Sequence, residues 1–260
     1  LLFIFLATGT DATIALIGGA DITANFRPGT MAISIGMLLS ALAMTWHLVH
    51  FHYVKFNKES MYEVSKKIIL LCIPLLLSAQ FIAGILNEAL DLTDTNQELF
   101  ISMSHNIFGV LSIAIVVPIL EEVLFRGAIE GHLLRKGWSP KWAILVSALI
   151  FGIIHGNPAQ IPFAFLIGLL FGWLYYRTGS LVPGIVGHII NNSFGAWTMF
   201  TATREELSQT TMETLGTTIT YILLVLAIIV FIGMYLYLNK YLPKPTNIQV
   251  KAINEQDITI

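Results

Sequence analysis

The chain has 260 residues, of which 55% are hydrophobic and 12% charged, where a soluble domain carries about 25% charged residues. Fourteen Lys and Arg stand against sixteen Asp and Glu, a formal net charge of −2. That balance excludes the basic excess of a nucleic-acid binder, and the apolar content excludes a disordered chain. One cysteine, Cys72, excludes an intramolecular disulfide framework.

The apolar residues are bunched into runs, and a bilayer core needs about 20 of them as helix. In chain order the runs are Leu1–Gly19, Gly29–Phe51, Ile68–Leu86, Ile107–Phe125, Trp142–His155, Ile161–Tyr176, Leu181–Phe200 and Thr217–Leu238. The first is the weakest, because Asp11 interrupts it and it holds several Gly and Thr. It is long for a signal-peptide core and has no basic segment before it. The fifth is short unless it begins near Ser139–Pro140, a favourable helix start. The expected architecture is all-α: a polytopic transmembrane bundle of about eight spans, one integral-membrane domain over 1–260 with a polar tail at 243–260.

The loops carry a charge signal. Lys55, Lys58, Lys66 and Lys67 lie in 52–67, and Arg126, Arg135, Lys136 and Lys141 in 126–141. Arg177 follows the sixth run, and the tail has Lys240, Lys244 and Lys251. The alternate loops are poor in base: 87–106 and 157–160 have none, 201–216 has Arg204, and 20–28 has Arg27. Positive residues favour the cytoplasmic side. The alternation fits eight spans with both termini in the cytoplasm.

Ionisable groups inside apolar spans are expensive and mark functional candidates. Glu121 and Glu122 with Arg126 lie on or just past the fourth run, His155 on the fifth, and His188 with Asn192 on the seventh. Glu122 and Arg126 are four apart, so they share a helix face and can pair. Glu121 points about 100° away around the helix. Glu122 is therefore expected to be structural. Glu121 lacks a partner on its own helix and needs one elsewhere, the position of a general base acting on water. His188 and Asn192 project from one face. Their N–H groups suit an oxygen that develops negative charge. His155 suits the orientation of a water or the shuttling of its proton.

The residues alone leave other readings open. Intramembrane carboxylates and histidines also build proton relays in transporters. Glu121, His155 and His188 also suit zinc, with three protein ligands and a water. A histidine in an apolar helix also serves simply as an interhelical hydrogen-bonding residue.

The spacing narrows this. Glu121-Glu122-Val123-Leu124-Phe125-Arg126 fits Glu-Glu-x-x-x-Arg, Phe151-Gly152-Ile153-Ile154-His155 fits Phe-x-x-x-His, and His188-Ile189-Ile190-Asn191-Asn192 fits His-x-x-x-Asn. In this order the chain resembles the CAAX protease and bacteriocin-processing (Abi) family, whose best-known members are the type II CAAX prenyl endopeptidases. Gly127 and Gly179-Ser180-Leu181-Val182-Pro183 also look like the family. The resemblance covers roughly 105–200, the expected motif-bearing core. It implies a glutamate-type intramembrane endopeptidase: Glu121 and His155 activating water, His188 and Asn192 binding the oxyanion, Glu122 and Arg126 supporting. It implies no cofactor, with zinc as the lesser reading. The implied partners are the bilayer and a membrane-associated peptide or protein, prenylated or a peptide precursor, and no nucleic acid. The runner-up is a transporter or immunity-type binding protein without proteolysis.

Depth arithmetic at 1.5 Å per residue puts Glu121 about 8 Å, His188 roughly 10 Å and Asn192 roughly 16 Å from the cytoplasmic edge of a ~30 Å core, and His155 about 20 Å. The expected site is in the cytoplasmic half, with the fifth helix tilted or its first turns outside the core. Trp46, His47, His50, Phe51, His52 and Tyr53 suggest an interfacial aromatic belt. Gly168 and Gly172 suggest a closely packed sixth helix. Cys72 reads as a packed thiol.

Overall fold

The structure is a computed structural model, and it describes residues 29–54 and 64–242. The first expected span with Asp11, the cations Arg27, Lys55 and Lys58, and the tail 243–260 lie outside the described residues. Among the described residues every regular element is a helix. These are α1 (Thr30–His50), α2 (Lys66–Glu88), α3 (Gln97–Ser104), α4 (Ile107–Arg135), α5 (Pro140–Ile154), α6 (Ile161–Thr178), α7 (Val182–Thr201), α8 (Arg204–Leu207), α9 (Thr211–Leu215) and α10 (Thr217–Tyr241). The seven expected runs within the described residues are α1, α2, α4, α5, α6, α7 and α10. Of these, α1, α2, α4, α6 and α10 are long and apolar enough to cross a membrane. Helix α5 is shorter. Helix α7 has 20 residues, interrupted by His188, Asn191 and Asn192. The protein is an integral membrane protein.

Local chemistry sets the boundaries. The Ser65 hydroxyl accepts from the Ile68 N–H at the start of α2, and the Asn106 side chain accepts from the Gly109 N–H at 2.7 Å to start α4. Helix α5 begins on Ser139 and Pro140, as the sequence suggests. Helix α6 stops at Gly179, whose φ of 66° is left-handed and suits glycine. The short helices α8 and α9 each open with a reciprocal cap, Thr203 with Glu206 and Thr210 with Glu213.

Helix α4 departs from expectation. The segment 126–141, read as a loop, is helical as far as Arg135. The charges that end the apolar run, Arg126 and Glu130, are fully buried rather than wet. Two stretches of α4 are wound as π-helix, Ser112–Val116 and Val123–Glu130. The first lies just before Pro118, which has no N–H to give and crowds the carbonyl four residues back. The widened turns turn carbonyls outward. The Ile113 carbonyl accepts from Asn192 Nδ2 at 2.9 Å and the Phe125 carbonyl from the Ser147 hydroxyl at 2.8 Å.

The antiparallel pair α5 and α6 packs closely. A Cβ on Gly168 would stand 3.2 Å from the Ala148 Cβ and 3.1 Å from the Phe151 ring, and one on Gly172 would meet the Glu130 carboxyl at 2.6 Å. Both glycines therefore serve close approach, as expected. The largest apolar cluster joins α2 (Cys72, Leu75, Leu76), α6 (Phe171, Leu174) and α10 (Leu238). Cys72 is a buried thiol.

The helices sort the loops onto two ends. At the basic end the Arg135 guanidinium reaches the Tyr53 carbonyl, and Arg177 donates to Asn239 and to the Leu242 carbonyl. Trp46 stacks on His50, and His47 lies against Phe51 and Tyr53. At the base-poor end Arg204 pairs with Glu98, Thr211 bonds Glu88, and Asn157 bonds Asp94.

Candidate active site

Helices meet around a cavity of about 240 Å³. Glu121 of α4, His155 at the end of α5, and His188 and Asn192 of α7 all line it. Glu122 and Arg126 are not among its lining residues and have no exposure to solvent. The six residues singled out from sequence thus fall into a set that faces the cavity and a set packed behind it.

The pair behind forms as the spacing predicts. Arg126 Nη1 donates to Glu122 Oε1 at 2.9 Å. Its Nη2 donates to the Gly168 carbonyl at 3.2 Å, and its guanidinium lies 4.5 Å from the centre of the Phe151 ring and 5.3 Å from that of Phe171. A planar cation with a flat apolar neighbour and a forked set of donors suits arginine here, and lysine would match neither.

His188 is the hinge between the two sets. Its Nδ1 is 3.1 Å from Glu122 Oε1 and its Nε2 is 3.3 Å from Glu121 Oε2. Consecutive glutamates diverge around their own helix, yet one imidazole from a facing helix spans both. Gly184, one turn earlier on α7, permits this approach, since a Cβ there would strike the Glu122 carboxyl. Glu121 thereby has the partner on another helix that the sequence requires. A neutral imidazole has one N–H for the two contacts. An imidazolium has two, and Glu121, Glu122, His188 and Arg126 would then carry two negative and two positive charges.

His155 is fixed by its own helix. Its Nδ1 lies 2.7 Å from the Phe151 carbonyl. A carbonyl only accepts, so Nδ1 carries the proton, and the neutral ring has Nε2 as a proton acceptor. The Phe151 of the same motif packs edge-on against both His155 and His188. Asn192 commits one Nδ2 hydrogen to the Ile113 carbonyl and retains a second.

The depth mismatch disappears with the longer α4. Glu121 lies fourteen residues from Arg135, and His155 fifteen from Pro140, about 21 Å and 22 Å along their helices. Counted from the shared α4–α5 turn, the two residues stand at about the same level. The lining also includes Asn96 and Gln160. Both belong to the base-poor end, so among the described residues the cavity's lining reaches towards that end, away from the cytoplasmic half expected from the depth arithmetic.

Several residues at the site went unread in the sequence. Gln80 Nε2 donates to the Gly187 carbonyl, beside His188. Asn157, two residues past His155, is fully buried and bonded to Asp94. Glu130, two helical turns beyond Glu122, is fully buried, and neither carboxyl oxygen has a hydrogen-bond partner among the described residues. The burial of Asn157, a polar residue in a Gly-Asn-Pro turn, has no signature in a single sequence. Among the described residues no three His, Cys, Asp or Glu side chains are grouped so as to hold a metal ion.

Residues 103–194 match the family model described as type II CAAX prenyl endopeptidase Rce1-like. The match falls on the stretch that carries the three motifs, and its description names the type II CAAX prenyl endopeptidases that those motifs resemble. The matched segment runs from the end of α3 into α7 and contains Glu121, His155, His188 and Asn192. The chain is 38% identical over 81 residues to the Bacillus subtilis (strain 168) protein named "Putative membrane peptidase YdiL", covering 31% of this chain and 33% of that one. It is 28% identical over 122 residues to UPF0177 protein YxdF of Lactococcus lactis subsp. lactis (strain IL1403), covering 46% and 63%. It is 33% identical over 106 residues to the membrane-embedded CAAX protease MroQ of Staphylococcus aureus (strain USA300), covering 39% and 42%. The matches span from a third to under two thirds of these relatives' lengths. No solved structure matches the chain.

Proposed function

We propose that the protein is an intramembrane endopeptidase that hydrolyses a peptide bond in a membrane-associated protein or peptide, by direct attack of water. The observation that carries the reading is the cavity shared by Glu121, His155, His188 and Asn192, with Glu122 and Arg126 packed behind it. The family match over 103–194 and the names of two relatives, a membrane peptidase and a CAAX protease, support it.

In this reading Glu121 takes a proton from water as the water oxygen attacks the scissile carbonyl carbon. His155 Nε2 accepts from the same water and aims it. The proton on Glu121 neutralises the carboxylate that faced His188 Nε2. That nitrogen's N–H is then free for the carbonyl oxygen as it turns into an oxyanion, and the second Asn192 N–H completes the hole. Collapse of the tetrahedral intermediate breaks the C–N bond, and Glu121 returns its proton to the departing amine. Glu122 and Arg126 hold His188 from behind throughout. The scheme uses no metal, and activity in the presence of a strong chelator is its check against zinc. With the lysine-rich loops in the cytoplasm, both termini are cytoplasmic and the cavity reaches towards the opposite leaflet. A cysteine placed at Gln160 should then react with an impermeant maleimide from outside intact cells, and one at Lys66 should not.

The test compares membrane-associated peptides from cells carrying the wild type, Glu121→Gln and a vector control. The proposal expects one precursor to accumulate uncut in both the variant and the control. Matching profiles with stably inserted protein would overturn it and favour a non-proteolytic role.

A further inference from the structure

His155 sits in a precarious place for a reacting group. It is the residue after the last turn of α5, where helices fray. Its ring is tied to that same turn, through the Phe151 carbonyl. Gly156 follows with φ of 61° and reverses the chain. The bond that ties α5 to α4, from the Ser147 hydroxyl to the Phe125 carbonyl, lies about two turns before His155.

Two residues later, Asn157 has no exposure at all. Its Nδ2 donates to Asp94 Oδ1 at 2.7 Å, and its Oδ1 accepts from the Thr95 N–H at 3.1 Å. The same Asp94 oxygen accepts from the Asn96 N–H at 2.8 Å. The Asn157 carbonyl accepts from the N–H groups of Gln160 and Ile161, which starts α6. A second tie runs alongside, from Asn87 Nδ2 to the Ala159 carbonyl at 2.9 Å. One buried residue therefore joins three pieces, through its main-chain carbonyl the start of α6 at Gln160 and through its side-chain amide the loop that carries Asn96, both to the turn that carries His155. Both Asn96 and Gln160 line the cavity. A bond from a neutral amide to a carboxylate is among the stronger kinds, and burial strengthens it further.

We infer that Asn157, held by Asp94, is a positioning residue: it sets His155 against the cavity and clamps the two sides of the cavity's rim. The inference rests on the hydrolytic reading for what His155 does, and on the hydrogen bonds alone for where His155 is held. Asparagine is required because the position needs a donor towards Asp94 and an acceptor towards Thr95 at once. An aspartate there supplies two acceptors, and a leucine supplies neither.

The test is a swap. Asn157→Asp sets two carboxylates against each other, whereas Asp94→Asn with Asn157→Asp restores one donor and one acceptor across the same gap. In the double variant the carboxylate at position 157 would still accept from the Thr95 N–H, while the amide nitrogen at position 94 that faces it replaces the oxygen that accepted from the Asn96 N–H, so that one bond is given up. The full-length protein in detergent is read in two ways. The first is turnover of the precursor that accumulates with Glu121→Gln, where Asn157→Asp should lower kcat by about 10²-fold, the scale of a misplaced reacting group, and the double variant should recover part of it. The second is independent of turnover: ¹⁵N-histidine NMR, with His155 assigned by its loss in His155→Gln. The wild type and the double variant should show the proton fixed on Nδ1, and Asn157→Asp should show tautomer averaging. Should Asn157→Asp fail to fold, Asp94→Asn alone serves, since it keeps an acceptor and should give a smaller defect of the same kind. A wild-type kcat and a fixed tautomer in a folded Asn157→Asp protein would overturn the inference, as would a double variant that recovers neither. Absence of any accumulating precursor would refute the hydrolytic reading while the NMR result still decides the placement of His155.

Discussion

Replacing Arg126 by methionine removes a permanent cation from the middle of the bundle. The side chain is completely buried, bonded to Glu122 at 2.9 Å and to the Gly168 carbonyl at 3.2 Å, with its guanidinium 4.5 Å and 5.3 Å from the centres of the Phe151 and Phe171 rings. Methionine keeps much of the volume, so the loss is chiefly electrostatic. Breaking a buried pair by deleting one partner costs about 3–5 kcal/mol, because the other charge stays behind. His188 Nδ1 still faces Glu122, which favours the lower end. At roughly 2–4 °C per kcal/mol for a chain of this size, the thermal midpoint of the detergent-solubilised protein should fall by roughly 6–12 °C. Combining Arg126→Met with Glu122→Gln removes both charges and should recover part of that fall, since a buried pair replaced by neutral groups is often close to neutral. Thermal unfolding followed by near-ultraviolet circular dichroism measures both, and the coupling should be about 2–3 kcal/mol. A fall below about 2 °C for Arg126→Met, or strictly additive losses in the double variant, would refute the reasoning.

Two further outcomes are expected. Asn192→Leu removes both the bond to the Ile113 carbonyl and the second donor facing the cavity; turnover should fall by about 10²–10³-fold with a stability loss of about 1–3 kcal/mol, and a loss in stability alone would remove Asn192 from the proposed oxyanion hole. Hydrogen bonds from the Thr203 and Thr210 backbone and hydroxyl groups hold the Glu206 and Glu213 carboxyls below the usual carboxylate range. A depressed folded-state value stabilises above the unfolded value and is lost as pH falls through the folded one. Amide protection across 203–215 should therefore drop on acidification below the ordinary carboxylate range. Glu206→Gln with Glu213→Gln should flatten that response, and protection insensitive to acid in the wild type would contradict it.

Much of this arrangement is legible in the sequence. Run lengths locate the seven helices of 15 or more residues among the described residues, five of them long and apolar enough to cross a membrane, because a bilayer-sized apolar run has few other solutions. The Glu122–Arg126 bond follows from a four-residue spacing on one helix, and the Gly168–Gly172 approach from small residues a turn apart. What the sequence misreads has a common physical origin. Helix α4 runs ten residues past the expected end because Arg126 and Glu130 look like a membrane boundary by charge, yet pairing and packing bury them. A helical wheel gives directions around one axis only, so it separates Glu121 from Glu122 and cannot show one imidazole bridging them from α7. Pro118 hints at irregularity, but the carbonyls that the π turns offer to Asn192 and Ser147 depend on which helices stand beside them. The Asp94–Asn157 bond joins residues 63 apart in loops, where no periodicity exists to read.

The division between Glu121 and Glu122 is the centre of the account, and one paired measurement addresses it: turnover and thermal midpoint for Glu121→Gln and Glu122→Gln in the purified, lipid-reconstituted protein. Glu121 faces the cavity and Glu122 is sealed behind it with Arg126. Glu121→Gln should lose about 10²–10⁴-fold in turnover, the usual contribution of a general base, with its midpoint nearly unchanged. Glu122→Gln should lower the midpoint clearly and retain measurable turnover. Wild-type cleavage by Glu121→Gln, or a silent midpoint in Glu122→Gln together with complete loss of cleavage, would contradict the assignment.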